Sequence, residues 1–255
     1  MNDSAALARA ASLAGEWMTF PNPRVGCVII DGAGIVVGEG AHHAAGQPHA
    51  EVEALRSAGE RARGATAYVT LEPCAHQGRT GPCADALIQA GIRRVVYAVP
   101  DPTAEAAGGA HRLRDAGVEA VHAPSADAEL VNEHWLHAMR HARPFVTMKI
   151  AASLDGRVAA GVGVRTPITG PATRVRVHAL RASLDAVLVG TGTALIDDPE
   201  LTVRDVACSA QPRRYVMGTR VLPPTLRIFG DGVPGTQLLP FSLKRISSDG
   251  KAIVL

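Results

Sequence analysis

One histidine and two cysteines in the first half of the chain have the spacing of a metal site with an acid beside it. His49 and Glu51 lie in the sequence Pro-His-Ala-Glu, and Cys74 and Cys83 each follow a proline. Three protein ligands with an open fourth position are typical of catalytic zinc, whereas structural sites have four. Helix starts stabilise a thiolate over a thiol. The sequence therefore predicts a Zn²⁺ site formed by His49, Cys74 and Cys83.

Glu51 stands two residues after the histidine and is predicted to move protons rather than bind the metal. Two positions along a helix start rotate a side chain by about 200°, although a first-turn residue can still point into a shared cavity. Zinc lowers the pKa of its water from about 15.7 to about 7. A carboxylate beside that water can take its proton and return it to a leaving amine. This combination predicts hydrolytic deamination.

Composition narrows the classes of partner. The 255 residues are 47% hydrophobic and 20% charged, which favours a packed protein of one large or two ordinary domains. A net charge of +2 without a Lys/Arg run argues against nucleic acid. No stretch approaches the roughly 20 apolar residues of a membrane span. Four cysteines and no evident targeting segment favour a cytoplasmic protein. Cys27 is predicted to be a buried apolar residue, and Cys208 receives no role.

Alternating strands and helices predict a layered α/β domain over residues 1–122. Two neighbouring strands separated by Asp-Gly-Ala-Gly indicate a hairpin. The predicted helices are 3–18, 49–62, 83–90 and 107–116, and the predicted strands are 24–30, 34–40, 66–71, 94–99 and 118–121.

A connecting segment and a second α/β domain are predicted to follow. Residues 123–142 form the connection, with a helix over 125–140, and the second domain spans residues 143–255. Its predicted elements are a strand at 145–151, a helix at 171–182 and a strand at 184–190. After residue 230 the pattern shows no clear continuation.

The spacing of the cysteines and the segments around them resemble one family. Nucleoside deaminases place two residues between the cysteines, but here eight residues separate Cys74 from Cys83. Pro-Asn-Pro-Arg-Val-Gly, Gly-Gln-Pro-His-Ala-Glu and Thr-Leu-Glu-Pro-Cys occur as they do in the riboflavin-biosynthesis deaminase, which is usually fused to a reductase. The resemblance covers residues 1 to about 225. It implies a cytidine-deaminase-like three-layer α/β/α domain followed by a dihydrofolate-reductase-like α/β domain.

The resemblance also implies a substrate and contacts for it. The family's deaminase removes the 2-amino group of 2,5-diamino-6-ribosylamino-4(3H)-pyrimidinone 5′-phosphate, a small pyrimidine ribosyl phosphate. Two of the residues implied to face the substrate have a structural alternative. Asn22 could instead shape the Pro-Asn-Pro turn, and His42 could instead be a solvated loop residue. Related enzymes are often dimers or tetramers, which fits a homo-oligomer. The implied substrate-facing residues are Asn22, His42, His76 and Arg79.

The second domain resembles the family's NADPH-dependent reductase. Pro-Phe-Val-Thr-Met-Lys followed by Ala-Ser-Leu-Asp-Gly-Arg opens it as in the family. The resemblance implies substrate contacts at Arg165, Arg181, Glu200 and Arg204, and cofactor contacts at Ala151, Pro167, Thr193 and Asp197, with Thr193 in a Gly-rich turn.

The chain departs from the reductase pattern. Pro167 stands where the family has Trp, Arg165 replaces a small polar residue, and nothing after Arg227 matches. We therefore expect a truncated or divergent, incomplete reductase domain with an unpaired sheet edge and exposed apolar surface. Such a domain would be prone to disorder or association and would show little or no NADPH turnover.

Three other interpretations stay open. A complete bifunctional enzyme predicts measurable NADPH oxidation. A nucleic-acid deaminase predicts salt-sensitive binding to single-stranded RNA. A non-catalytic zinc module predicts that Glu51→Gln leaves function intact.

Overall fold

Two folding units make up the chain, Met1–Arg140 and His141–Leu255. Within the described residues no helix is long and apolar enough to cross a membrane. The computed structural model describes residues 1–76, 81–208, 211–230, 237–239 and 252–254.

The first unit is built on a five-stranded sheet. Its strand order is β2-β1-β3-β4-β5, with β1 antiparallel to both of its neighbours and the other pairs parallel. The elements are α1 Asp3–Gly15, β1 Gly26–Ile30, β2 Val36–Ala41, α2 Ala50–Ala58, a 3₁₀ turn Gly59–Ala62, β3 Thr66–Leu71, α3 Cys83–Gln89, β4 Arg94–Val99, α4 Gly109–Asp115, β5 Glu119–His122, α5 Ala126–Val131 and α6 Glu133–His141.

Helices cover both faces of this sheet. On one face α2, α3 and α4 bury Ala54, Leu87 and Leu113. On the other face α1 and α6 contribute Leu7 and Leu136 to a second core. Strands covered on both faces need apolar side chains at successive positions, which explains the unbroken apolar runs of β1 and β4. The three-layer α/β/α arrangement is thus confirmed.

The predicted connecting helix is wrong in one respect. Residues 125–140 form two helices, α5 and α6, and the chain turns between them at Asn132. The buried Asn132 amide accepts a hydrogen bond from the Arg24 backbone N–H at 2.8 Å and donates one to the Arg24 carbonyl at 2.7 Å. Because this partner is 108 residues away in the chain, helical periodicity alone does not reveal the break.

Two glycines let the helix that follows His49 lie directly on the sheet. A Cβ on Gly40 would stand 2.3 Å from the Ala50 carbonyl oxygen and 2.4 Å from the Ala54 nitrogen. A Cβ on Gly38 would stand 2.3 Å from the Ala54 carbonyl oxygen. These distances are shorter than any real carbon contact, so only glycine permits this approach of α2 to β2.

Replacing Gly40 with Ala is expected to lower the free energy of unfolding by about 1–3 kcal/mol, the usual effect of overpacking. The added methyl would push against the backbone of α2, which must shift. Gly32→Ala is the matched control, since Gly32 has nothing within 4 Å of the added carbon. Urea unfolding measures the stability of both variants. Equal midpoints for the two variants would show that the close approach of α2 is not required.

The second unit contains a parallel five-stranded sheet in the order β6-β10-β7-β8-β9. Val187, Leu201 and Val216 lie in its core. The elements are β6 Phe145–Thr147, α7 Pro171–Ala182, β7 Ala186–Gly190, α8 Thr191–Asp197, β8 Arg213–Met217, a 3₁₀ turn Arg227–Phe229, β9 Gln237–Leu239 and β10 Ala252–Val254.

Three predictions for this unit are wrong. The strand–helix pattern does continue after residue 230, since β9 joins one edge and β10 lies between β6 and β7. Each of these strands has three residues, too few for a periodic pattern to appear in the sequence. The strand predicted over 145–151 ends at Thr147, and the predicted Gly-rich turn at Thr193 is the start of helix α8.

Exposed apolar surface is present in this unit, and most of it lies outside the sheet. It lies mainly in the irregular segment after β6, where the exposed side chains include Met148, Ile150, Leu154, Val158, Val162 and Val164.

Candidate functional site

Three potential ligand atoms converge at the predicted zinc site. The Nδ1 atom of His49 lies 3.2 Å from the Cys83 sulfur and 3.7 Å from the Cys74 sulfur. All three ligand atoms lie within 4.8 Å of one another. Tetrahedral zinc, with bonds of about 2.0 Å to nitrogen and about 2.3 Å to sulfur, would separate nitrogen from sulfur by about 3.5 Å. The arrangement therefore fits a zinc ion.

Three separate elements bring these ligands together. His49 is the N-cap of α2 and has extended backbone angles, φ −75° and ψ 161°. Cys83 is the first residue of α3, whereas Cys74 lies in the loop after β3. Cys74 thus follows a strand, and of the two cysteines only Cys83 lies at a helix start. The Cys83 backbone N–H nevertheless approaches the Cys74 sulfur at 3.4 Å, so the same helix start serves both cysteines.

The two thiols are electrostatically linked. A hydrogen bond from Cys83, with a further one from His49, lowers the pKa of Cys74 to about 4. The same bond with Cys74, together with burial, raises the pKa of Cys83. The contact thus favours a thiolate at Cys74 and a protonated thiol at Cys83. Coordination to zinc would remove that proton, because a coordinating thiol is deprotonated.

Glu51 lies beside the ligands and is almost fully buried, with 3% of its surface exposed. Its Oε2 atom has no hydrogen-bond partner among the described residues. Burial raises the pKa of Glu51 to about 7, the charge of His49 opposes this, and Cys74 reinforces it. Because His49 is not itself helical, counting 100° per residue from it does not apply, and the Glu51 carboxyl comes close enough to interact with His49 and Cys83. A carboxyl group whose pKa lies near 7 can both accept and release a proton at neutral pH.

Asn22 and His42 form a hydrogen-bonded pair next to His49. The His42 Nδ1 atom lies 3.0 Å from the Pro48 carbonyl oxygen, and Nε2 lies 3.0 Å from the Asn22 amide nitrogen. Since a carbonyl only accepts, Nδ1 must carry the proton and Nε2 must accept from Asn22. Burial lowers the pKa of His42, which favours this neutral form. The rings of His42 and His49 meet edge to face at 5.3 Å.

Replacing Asn22 with Asp is expected to raise the pKa of His42. The carboxylate cannot donate to Nε2, so the ring would take a second proton to restore the bond. In the native chain the neutral His42 ring with its two hydrogen bonds stabilises the folded state. Because the pKa of His42 is lowered, this stabilisation is lost as pH falls below the ordinary histidine pKa. NMR titration of the His42 ring in the native chain and in Asn22→Asp measures the two pKa values. An unchanged midpoint in Asn22→Asp would contradict the assigned proton positions.

The other two residues implied for the deaminase substrate are not placed in the site. His76 is exposed in the loop after Cys74, and Arg79 lies outside the described residues. Cys27 is fully buried as predicted, and its pKa is raised by burial and by the charge of Glu51.

In the second unit, three of the eight implied residues share one cleft. Arg181 from α7 lies with Thr193 and Asp197 from α8 in a cleft of about 470 Å³ beneath the end of β7. Burial and the charge of Arg204 lower the pKa of Arg181. Lys149 also lines this cleft and was missed, although a lone lysine following a strand could have indicated it. The cleft thus combines two cations with one carboxylate.

The remaining implied residues lie elsewhere. Glu200 forms ion pairs with Arg204 and with Arg227. Ala151, Arg165 and Pro167 belong to the irregular segment between β6 and α7 and are absent from the described lining of the cleft.

Two family models match the chain. Residues 1–99 match the cytidine and deoxycytidylate deaminase zinc-binding region, which contains all three ligands and Glu51. Residues 144–240 match the RibD C-terminal domain, so the expectation that nothing after Arg227 matches the family is wrong.

Relatives of known name match both units. The riboflavin biosynthesis protein RibD of Escherichia coli is 52% identical over 208 residues, which cover 80% of this chain and 56% of the relative. The chain thus spans about half the length of that curated relative. The structure of Acinetobacter baumannii RibD, form 1, is 41% identical with a TM-score of 0.92, covering 99% of this chain and 79% of that one.

A third match has a longer name. A Thermotoga maritima structure, a diaminohydroxyphosphoribosylaminopyrimidine deaminase/5-amino-6-(5-phosphoribosylamino)uracil reductase, is 30% identical with a TM-score of 0.91. The match covers 99% of this chain and 80% of that one.

Proposed function

The chain belongs to the RibD family of riboflavin biosynthesis proteins, and on this premise we propose that its first unit deaminates 2,5-diamino-6-ribosylamino-4(3H)-pyrimidinone 5′-phosphate with the help of zinc. The observation that carries the proposal is the buried Glu51 carboxylate, whose Oε2 atom has no described partner, beside three converging ligand atoms. The Thermotoga maritima relative bears the name of a deaminase of this substrate class.

The residues of the site divide the chemistry among them. Zinc, held by His49, Cys74 and Cys83, would supply Lewis-acid activation of a water molecule. Glu51 accepts a proton from the attacking water and delivers it to the 2-amino nitrogen, which leaves as ammonia. One water is consumed, and the C–N bond is replaced by a C–O bond. A pKa of about 7 suits a group that must take and return the same proton.

The Asn22–His42 pair supports a substrate of this shape. With its amide nitrogen donating to His42, Asn22 has its amide oxygen left to accept a hydrogen bond from an N–H of a pyrimidine ring. Because Pro48 and Asn22 occupy both ring nitrogens of His42, that imidazole stays neutral and acts as a support for Asn22.

Ammonia release from the ribosylaminopyrimidine phosphate tests the proposal. The purified chain is incubated with zinc and substrate, and ammonia is measured by a coupled assay. We expect turnover that a chelator abolishes and added zinc restores. Absence of turnover with one zinc bound per chain would overturn the proposal. Equal turnover on a single-stranded RNA would instead favour a nucleic-acid deaminase.

The cleft of the second unit supports a second activity, NADPH-dependent reduction of 5-amino-6-(5-phosphoribosylamino)uracil. Lys149 and Arg181 supply positive charge for a phosphate-bearing ligand, and the cleft has a volume typical of ligand sites. Loss of absorbance at 340 nm with NADPH and the deaminated substrate measures it. The sequence-based expectation of little or no turnover stays a prediction, and this assay decides it.

The proposal also includes a setting for the reaction. We place it in the cytoplasm, where free cysteines persist as thiols, and we take the active form to be a homo-oligomer. Light scattering of the purified chain measures the second point.

A further inference from the structure

A carboxylate outside the zinc site gathers three backbone N–H groups. Glu72 follows β3 directly and stands two residues before Cys74. Its Oε2 atom accepts from the Asp101 N–H at 3.3 Å, and its Oε1 atom accepts from Gly108 and Ala110 at 3.2 and 3.0 Å. Both oxygens are therefore engaged, and every partner belongs to the segment 101–110, which runs from the loop after β4 into the first turn of α4.

These bonds replace a cap that α4 lacks. The N-cap residue Gly108 has no side chain to accept the first N–H groups of the helix. Glu72 supplies an acceptor from another element, and an anion at a helix start is favoured by the helix dipole. The carboxylate thereby fixes where α4 begins.

The start of α4 in turn holds the loop that carries Cys74. A Cβ on Gly109 would lie only 1.6 Å from the Pro73 carbonyl oxygen, so these two backbones are in direct contact. The Ala75 N–H donates to the Ala106 carbonyl at 3.1 Å. The peptide groups on both sides of Cys74 thus rest on the segment that Glu72 anchors.

We propose that Glu72 is a positioning residue for the zinc centre, which sets the place of the Cys74 sulfur through the segment 101–110 without contacting the metal. A glutamine would not substitute, because its Nε2 donor would face an N–H where Glu72 presents a second oxygen. The inference rests on the proposed zinc site but not on the proposed substrate. Loss of such supporting contacts typically weakens metal affinity by about 10- to 100-fold.

Zinc affinity of full-length Glu72→Gln tests the proposal, with Asp31→Asn as the matched control. Asp31 also accepts two backbone N–H groups, from Ala33 and Ile35 at 2.9 Å, but both bond its Oδ1 atom in the β1–β2 hairpin, so Asp31→Asn removes a carboxylate charge away from the zinc site. Competition with a chromogenic chelator gives the dissociation constant, and the Co²⁺-substituted spectrum reports thiolate geometry. We expect Glu72→Gln to weaken zinc binding about 10- to 100-fold and to alter the Co²⁺ spectrum, while Asp31→Asn changes neither.

Wild-type affinity and an unaltered Co²⁺ spectrum in Glu72→Gln would overturn the proposal, even if the melting temperature fell. If Glu72→Gln does not fold, Gly109→Ala replaces it, because it keeps the carboxylate but forces α4 away from Pro73. Native zinc affinity in Gly109→Ala would likewise overturn the proposal. A wild-type chain that binds zinc but releases no ammonia would contradict only the proposed deamination.

Discussion

Replacing Glu51 with Gln is expected to reduce ammonia release by about 10²- to 10⁴-fold, the range for loss of a general acid–base group. The amide keeps the size and the hydrogen-bonding shape of the carboxylate, but it cannot take the proton of the attacking water. Because Glu51 supplies none of the three converging ligand atoms, the variant should still bind zinc. Steady-state ammonia release and the zinc content of the same sample measure the two halves of the prediction.

Glu53→Gln is the control for this change. Glu53 lies two residues further along α2, where it forms a surface ion pair with Arg56, and such exposed pairs contribute about 0–1 kcal/mol. Turnover of Glu53→Gln should therefore match the native chain. If Glu51→Gln released ammonia at the native rate with zinc bound, the carboxylate would have no catalytic role, and a non-catalytic zinc module would be favoured.

The convergence of His49, Cys74 and Cys83 could be predicted because their residue types and spacing together form one signal. His49 precedes an amphipathic helix, and Cys83 follows a proline at a helix start, so residue type and local pattern agree. Zinc chemistry then restricts the ligands to few residue types. The fold of the first unit followed for a similar reason, since strands such as β3 and β4 are long, apolar and bounded by turns.

Support for the site could not be predicted, because it depends on contacts between distant residues. The carboxylate of Glu72 anchors a segment up to 38 residues away, and Asn132 holds the backbone of Arg24 across 108 residues. Neither contact leaves a periodic mark in the sequence. The proton positions on His42 likewise follow only from seeing Pro48 and Asn22 on opposite sides of the ring.

The second unit was harder to predict for a different reason. Strands β9 and β10 have three residues each, and β10 lies between two strands that precede it by more than sixty residues. Hydrogen bonding to neighbouring strands selects such short strands, and their own composition does not. The family resemblance grouped Arg181, Thr193 and Asp197, and these residues do meet in one cleft. Local sequence patterns alone would not have grouped them.

Replacing Cys83 with Ser is expected to weaken zinc binding by more than about 100-fold, beyond the usual effect of losing a mere supporting contact. A serine hydroxyl is a poor zinc ligand, and the change also removes the sulfur that hydrogen-bonds Cys74. Zinc is bound by the folded chain, so zinc should raise the melting temperature of the native protein but not of Cys83→Ser.

Cys208→Ser provides the control, because Cys208 is a half-buried cysteine outside the converging ligand set. It should keep native zinc affinity and the same rise in melting temperature on adding zinc. Chelator competition and thermal melts with and without zinc compare the two variants directly. Full zinc occupancy in Cys83→Ser would mean that the ion is held by other groups. In that case the deaminase assignment would lose its metal site, since Glu51 would no longer be beside the zinc.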